Sequence, residues 1–150
     1  MSGYVDTSAF ITLVIACSVH KRCRAPFMHE LVIAEDRSPE LRAWVRSEED
    51  RSGRLFSSDL LRTEAIRAAR RISNSVVARA HEKLGEVLLI SMSVDVFRHA
   101  GQLDPVVLRS LDPLHLAAAL SIGDDLSGVI TYDIRMAEAA RSLGIPTAAP

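Results

Sequence analysis

Val129-Ile130-Thr131-Tyr132-Asp133-Ile134-Arg135-Met136-Ala137-Glu138-Ala139-Ala140-Arg141-Ser142-Leu143-Gly144 changes its period halfway along. The first four residues are β-branched or aromatic and predict a buried strand. Asp133 marks the turn. From Ile134 onward, Met136, Ala137, Ala140 and Leu143 fall on one helical face, so residues 134–143 predict a helix. Gly144 supplies its stop and Pro146 follows. The same order of strand, acid and helix opens the chain: Gly3-Tyr4-Val5-Asp6 reads as a strand, and Thr7 or Ser8 can cap a helix entered at Ala9 and Phe10.

Working inward, helices are expected at 39–48, with Leu41, Trp44 and Val45; at 59–72, with Leu61, Ala65, Ala68 and Ile72 as an apolar stripe; at 74–84; at 94–100; and at 113–122. Leu55-Phe56 and residues 87–90 read as short strands. Strands alternating with helices predict an α/β fold with a mostly parallel sheet covered on both faces. A chain of 150 residues, 48% apolar and 25% charged, suits one domain with its own core. The net charge of −1 does not mark a dedicated polyanion binder, although a bound cation can supply positive charge where a phosphate sits. Cys17 and Cys23 imply no disulfide framework, which favours a reducing, cytoplasmic location. The start lacks a basic leader and a small-residue cleavage site, and its longest near-apolar run, Ala9 to Cys17, is too short to span a membrane.

Ligands of parallel α/β sheets gather beyond the carboxyl ends of the strands. Asp6 and Asp133 both follow apolar strands directly, so each is a site candidate, while simple helix capping is the competing explanation. Asp112 precedes Pro113, a pattern that capping explains by itself. A carboxylate can nevertheless offer one oxygen to amides and the other to a cation. Glu64 borders the apolar stripe of its helix, where a carboxylate is costly unless it is paired or holds a metal. Arg67 and Arg71 are its local salt-bridge candidates. Four carboxylates suit a hard cation, Mg²⁺ or alternatively Mn²⁺, and such a site can promote attack of water on a phosphodiester. The spacing does not show that the four converge, or whether one ion or two is held.

Tyr4-Val5-Asp6-Thr7-Ser8-Ala9, Ser58-Asp59-Leu60-Leu61-Arg62-Thr63-Glu64, Leu108-Arg109-Ser110-Leu111-Asp112-Pro113-Leu114-His115-Leu116-Ala117-Ala118-Ala119, Ile130-Thr131-Tyr132-Asp133-Ile134-Arg135-Met136 and Ala139-Ala140-Arg141-Ser142-Leu143-Gly144 occur in an order that resembles PIN-domain ribonucleases of the VapC toxin group. The resemblance implies a three-layer α/β/α sandwich around a parallel five-stranded sheet. It implies a metal-dependent endoribonuclease, the toxin of a toxin–antitoxin pair, neutralised by a cognate antitoxin and commonly homodimeric. The family's acids fall on Asp6, Glu64, Asp112 and Asp133, and its hydroxyl beside the first acid falls on Thr7, an outer-sphere position. Two departures stand out. Pro113 replaces the usual alanine, which the first helical turn tolerates. Residues 17–34 are extra, and Leu-Val-Ile-Ala occurs on both sides of the junction, at Leu13-Val14-Ile15-Ala16 and Leu31-Val32-Ile33-Ala34. An accessory insertion within a single domain is expected there.

His115 lies in an apolar helix, where packing or hydrogen bonding is a better explanation than general-base chemistry. Cys17, Cys23, His20 and His29 lack the spacing of a closed zinc site. Arg62, Arg67, Arg70, Arg71 and Arg79 form a basic series suited to phosphates, to an acidic partner or to a solvated face. The main competing function is a noncatalytic PIN-like module that binds RNA or protein. A haloacid dehalogenase-type phosphatase wants a second acid where Ser8 stands, and a receiver domain wants paired acids and a late lysine that are missing.

Overall fold

Ser2–Val5 form the central strand, β1, of a sheet completed by β2 (Arg54–Ser58), β3 (Leu88–Ile90), β4 (Leu126–Ile130) and β5 (Thr147–Ala148). The strands are all parallel and lie in the order β3-β2-β1-β4-β5. The structure is a computed structural model that describes residues 2–5, 54–104, 108–109 and 111–148. Asp6, Thr7, the expected helices at 9 onward and 39–48, and segment 17–34 lie outside the described residues. The described helices are α1 (Leu60–Arg70), α2 (Asn74–Leu84), α3 (Val94–Ala100), α4 (Asp112–Leu120) and α5 (Ile134–Ser142), with a 3₁₀ turn at Gly123–Asp125.

Alternation along the strands sorts the core into two layers of contact. Val5, Leu55 and Ile130 meet Leu61, Ala65 and Ala69 of α1 and Val76, Ala80 and Leu84 of α2. Tyr4 and Val129 pack with α3, α4 and α5, through Val96, Ala100, Leu116, Met136 and Ala140. The result is the expected α/β/α sandwich. Leu61 and Leu116, one on each side, are fully buried, and each such side chain stabilises the fold by about 1.5–3 kcal/mol.

Some local expectations shift. The buried stripe of α1 is Leu61, Ala65 and Ala69, whereas Ile72 is 41% exposed. The helix ends at Arg70 because Ser73 turns extended and caps α2, its hydroxyl accepting from the Val76 amide at 3.2 Å. Strand β4 spans Leu126–Ile130, beginning three residues before and ending two residues before the expected Val129-Ile130-Thr131-Tyr132. Gly128 makes this register workable. A Cβ there would stand 2.9 Å from the Pro146 carbonyl oxygen, which accepts from the Val129 amide to seat β5. At the far end of α5, Gly144 adopts φ 78°, the left-handed conformation that ends a helix at little cost in glycine.

Strand β1 pairs with β2 on one side and β4 on the other, so the chain's winding reverses at β1. The crevice beyond the carboxyl ends of β1 and β4 is therefore the topological switch point where α/β sheets bind ligands. Asp6 follows the last residue of β1 directly.

Candidate active site

A network of side chains ties together β1, the end of β2, α1 and α4. Glu64 sits in the second turn of α1, on one face of the sheet. His115 sits one turn into α4, on the opposite face. They meet over the end of β2, with His115 Nε2 2.9 Å from Glu64 Oε2. The imidazole side chain is 5% exposed and the Glu64 side chain 26%. The imidazole's other nitrogen, Nδ1, lies 2.8 Å from the Tyr4 hydroxyl and 3.2 Å from the Ser58 hydroxyl. The Ser58 amide donates to the Tyr4 hydroxyl at 3.0 Å, and the Ser57 hydroxyl donates to the Val5 carbonyl at 2.7 Å. Both nitrogens of this buried histidine thus have polar partners, as burial in a low-dielectric core demands.

These contacts have a direction. An ionised carboxylate can only accept, so Nε2 carries the hydrogen and donates it to Glu64. Nδ1 faces two hydroxyl groups, each able to donate or accept. Among the described residues, Glu64 pairs with His115 from another helix, and not with Arg67 or Arg71 of its own.

Asp133 occupies the N-cap of α5. Its Oδ1 accepts from the amides of Arg135 and Met136 at 2.8 and 3.2 Å, and its own amide donates to the Thr131 hydroxyl at 3.0 Å. Asp112 behaves differently from the expected cap. Leu111 holds the N-cap position, Asp112 is the first helical residue, and its Oδ2 accepts from the Arg109 amide upstream at 3.3 Å. The carboxylate closes the preceding turn instead of serving the helix amides. In both aspartates one oxygen is engaged with backbone, and the other makes no hydrogen bond among the described residues. Asp112 and His115 are three residues apart in a helix and so share a face, about 5–6 Å apart at Cβ.

Of the sequence-predicted site residues, the structure joins Glu64 to the helix that carries Asp112 and sets Asp133 beyond the end of β4. Asp6 and Thr7 lie outside the described residues. Among the described residues, no three of His, Cys, Asp and Glu stand together closely enough to hold a metal ion. Sequence reasoning gave no role to Tyr4 or Ser58. A signal for both existed: a histidine in an apolar helix needs polar partners, and strand alternation turns Tyr4 and Ser58 toward the face that α4 covers. The basic series splits, with Arg62, Arg67, Arg70 and Arg71 exposed and Arg79 half-buried. No helix among the described residues is long and apolar enough to cross a membrane.

No protein-family model matches the chain. Curated relatives do. Ribonuclease VapC46 of Mycobacterium tuberculosis (strain ATCC 25618 / H37Rv) is 36% identical over 121 residues, covering 81% of this chain and 90% of the relative. Ribonuclease VapC47 of Mycobacterium tuberculosis (strain CDC 1551 / Oshkosh) is 33% identical over 122 residues, with the same coverage of 81% and 90%. Ribonuclease VapC35 of the same organism is 31% identical over 124 residues, again covering 81% of this chain and 90% of its own. Identity of this extent across most of both chains, on a five-stranded parallel sandwich, has one reading: the chain belongs to the VapC family of PIN-domain ribonucleases.

Proposed function

We propose that the chain is a Mg²⁺-dependent endoribonuclease, with Mn²⁺ able to substitute, that hydrolyses RNA phosphodiester bonds as the toxin of a toxin–antitoxin pair. The observation that supports this best is the half-buried Glu64 carboxylate, held by His115 at the carboxyl end of the sheet with Asp112 one helical turn away. Pairing with His115 offsets the cost of this partial burial and holds the carboxylate beside the carboxyl ends of the strands. The oxygen-only donor set of Asp6, Glu64, Asp112 and Asp133 suits a hard divalent cation, and the proposed site draws on Asp6 to complete it. When bound, the ion would stabilise charge developing on the phosphate and the leaving oxygen. Asp133 and Asp112 would each offer a cation the oxygen not engaged by backbone. Glu64 would enter with its orientation fixed from behind by His115. Thr7 would position water in the outer sphere, and exposed Arg62 and Arg67 of α1 would steer the RNA backbone. A cognate antitoxin and a homodimer that frames the RNA groove complete the proposal.

The test is cleavage of total RNA by antitoxin-free protein in Mg²⁺, in Mn²⁺ and in excess chelator. Cleavage in both metals and none in chelator is the expected result. Undiminished cleavage in chelator would remove the metal from the mechanism. Binding without cleavage under every condition would leave a noncatalytic module.

A further inference from the structure

Among the described residues, His115 makes side-chain hydrogen bonds to Tyr4, Ser58 and Glu64, which lie on three separate elements. Its Nδ1 side is anchored to the sheet by Tyr4 at 2.8 Å and Ser58 at 3.2 Å. Its Nε2 side reaches across the sheet's carboxyl edge to Glu64 at 2.9 Å. Tyr4 is fully buried, and its hydroxyl is fixed by the Ser58 amide at 3.0 Å, so the anchor has little freedom. The ring itself packs edge-on to Tyr4, with centroids 6.1 Å apart and planes at 73°. A glutamate side chain has three rotatable bonds, so each hydrogen bond to it narrows the directions that it can take. Here one of its oxygens is tied to a rigid point on the opposite helical layer.

We propose that His115 is a positioning residue: anchored by Tyr4 and Ser58, it fixes the Glu64 carboxylate in the orientation that receives a divalent cation. This rests on the reading of Glu64 as a metal-holding acid. The physical reason is pre-organisation. A carboxylate already aimed and hydrogen-bonded loses less freedom when the cation arrives, and outer hydrogen bonds of this kind are worth about 10- to 100-fold in metal affinity or activity. The network does not need His115 to exchange a proton with substrate, since it lies behind Glu64 and is nearly buried.

The two ends of the imidazole can be separated by substitution. The amide of His115→Asn overlays Nδ1, so it retains the Tyr4 and Ser58 side and releases Glu64. The amide of His115→Gln reaches the Nε2 position and can still donate to Glu64. Mn²⁺ binding to the full-length protein is read by electron paramagnetic resonance of the free ion, thermal unfolding is recorded alongside, and RNA cleavage is resolved into kcat and KM. Glu64→Gln is the control. The expected result is a folded His115→Asn protein with Mn²⁺ affinity about 10- to 100-fold weaker, a lowered kcat and an unchanged KM for RNA. His115→Gln should recover most of the lost affinity. A folded His115→Asn that binds Mn²⁺ like wild type, while Glu64→Gln does not, overturns the positioning role alone. Equal loss in the Asn and Gln variants also overturns it, because a purely structural histidine would behave so. Wild-type Mn²⁺ affinity in Glu64→Gln instead overturns the metal reading, and the positioning role with it. Should His115→Asn fail to fold, Tyr4→Phe replaces it: weakened Mn²⁺ binding supports the proposal, and unchanged binding overturns it.

Discussion

Asp133 performs one task that is visible in the structure and one that is proposed, and the two can be pulled apart. Its Oδ1 accepts from two amides at the start of α5, at 2.8 and 3.2 Å. Asp133→Ala removes both bonds. Loss of such a cap costs about 0.5–2 kcal/mol, which in a chain of this size corresponds to a fall in Tm of about 2–4 °C for each kcal/mol. Asp133→Asn keeps an acceptor oxygen in the same place and sacrifices only the charge that favours a helix N-terminus, worth about 0.3–1 kcal/mol. Stability should therefore decline in the order wild type, Asn, Ala. If Asp133 also helps hold a cation, cleavage should fail to follow that order: both variants should be similarly impaired at saturating Mg²⁺. Thermal and urea unfolding measure the first property, and cleavage of one defined RNA measures the second. Wild-type cleavage by Asp133→Asn would reduce Asp133 to a helix cap. Wild-type Tm in Asp133→Ala would refute the energetic account of the cap.

Asp6→Asn and Asp112→Asn should each nearly abolish cleavage while leaving the unfolding midpoint within about 1 kcal/mol of wild type, because neither opens a cavity; normal activity in either removes that acid from the site. Gly128→Ala should destabilise by about 1–3 kcal/mol through overpacking, since its Cβ would press to 2.9 Å from the Pro146 carbonyl, and urea denaturation that shows no loss would mean β5 gives way freely. Deleting residues 17–34, proposed as an accessory insertion, should preserve cooperative unfolding, because the closure entropy of a surface loop changes by only about 0.6 kcal/mol per doubling of length; loss of the transition would make the segment part of the core.

Much of the architecture could be read from local pattern. Asn74–Leu84 and Val94–Ala100 form the helices expected there, and the structure adds a serine cap to each, Ser73 and Ser93. The acid after each expected strand pointed correctly to the carboxyl side of the sheet for Asp133. What escaped was decided by contacts between distant residues. β5 is two residues long, and nothing in Thr147-Ala148 announces a strand until Pro146 is set against Gly128. The stop of α1 at Arg70 depended on Ser73 serving the next helix, so Ile72 is left partly exposed despite its place in the stripe. For the site, the types of residue were legible but the partnerships were not. Glu64 finds a histidine 51 positions away, and that histidine finds Tyr4 111 positions away. Local charge pairing favoured Arg67 and Arg71, and the tertiary fold overrode it.

The central position of β1 has a consequence for synthesis. Tyr4 and Val5 lie at the beginning of the chain, yet they pair with Val129 and Ile130 near its end. Until β4 has left the ribosome, the strand that will form the middle of the sheet has only one neighbour available, and its other edge stays open. Pairings this remote in sequence make for slow folding, because a long loop must close before any contact repays it. Asp133 arrives later still. A nascent or prematurely terminated chain thus lacks both the sheet edge and the last acid of the proposed site, and under the proposed function it would be harmless to the transcripts around it. Under that reading such a nuclease is armed only after β4 and Asp133 have been made.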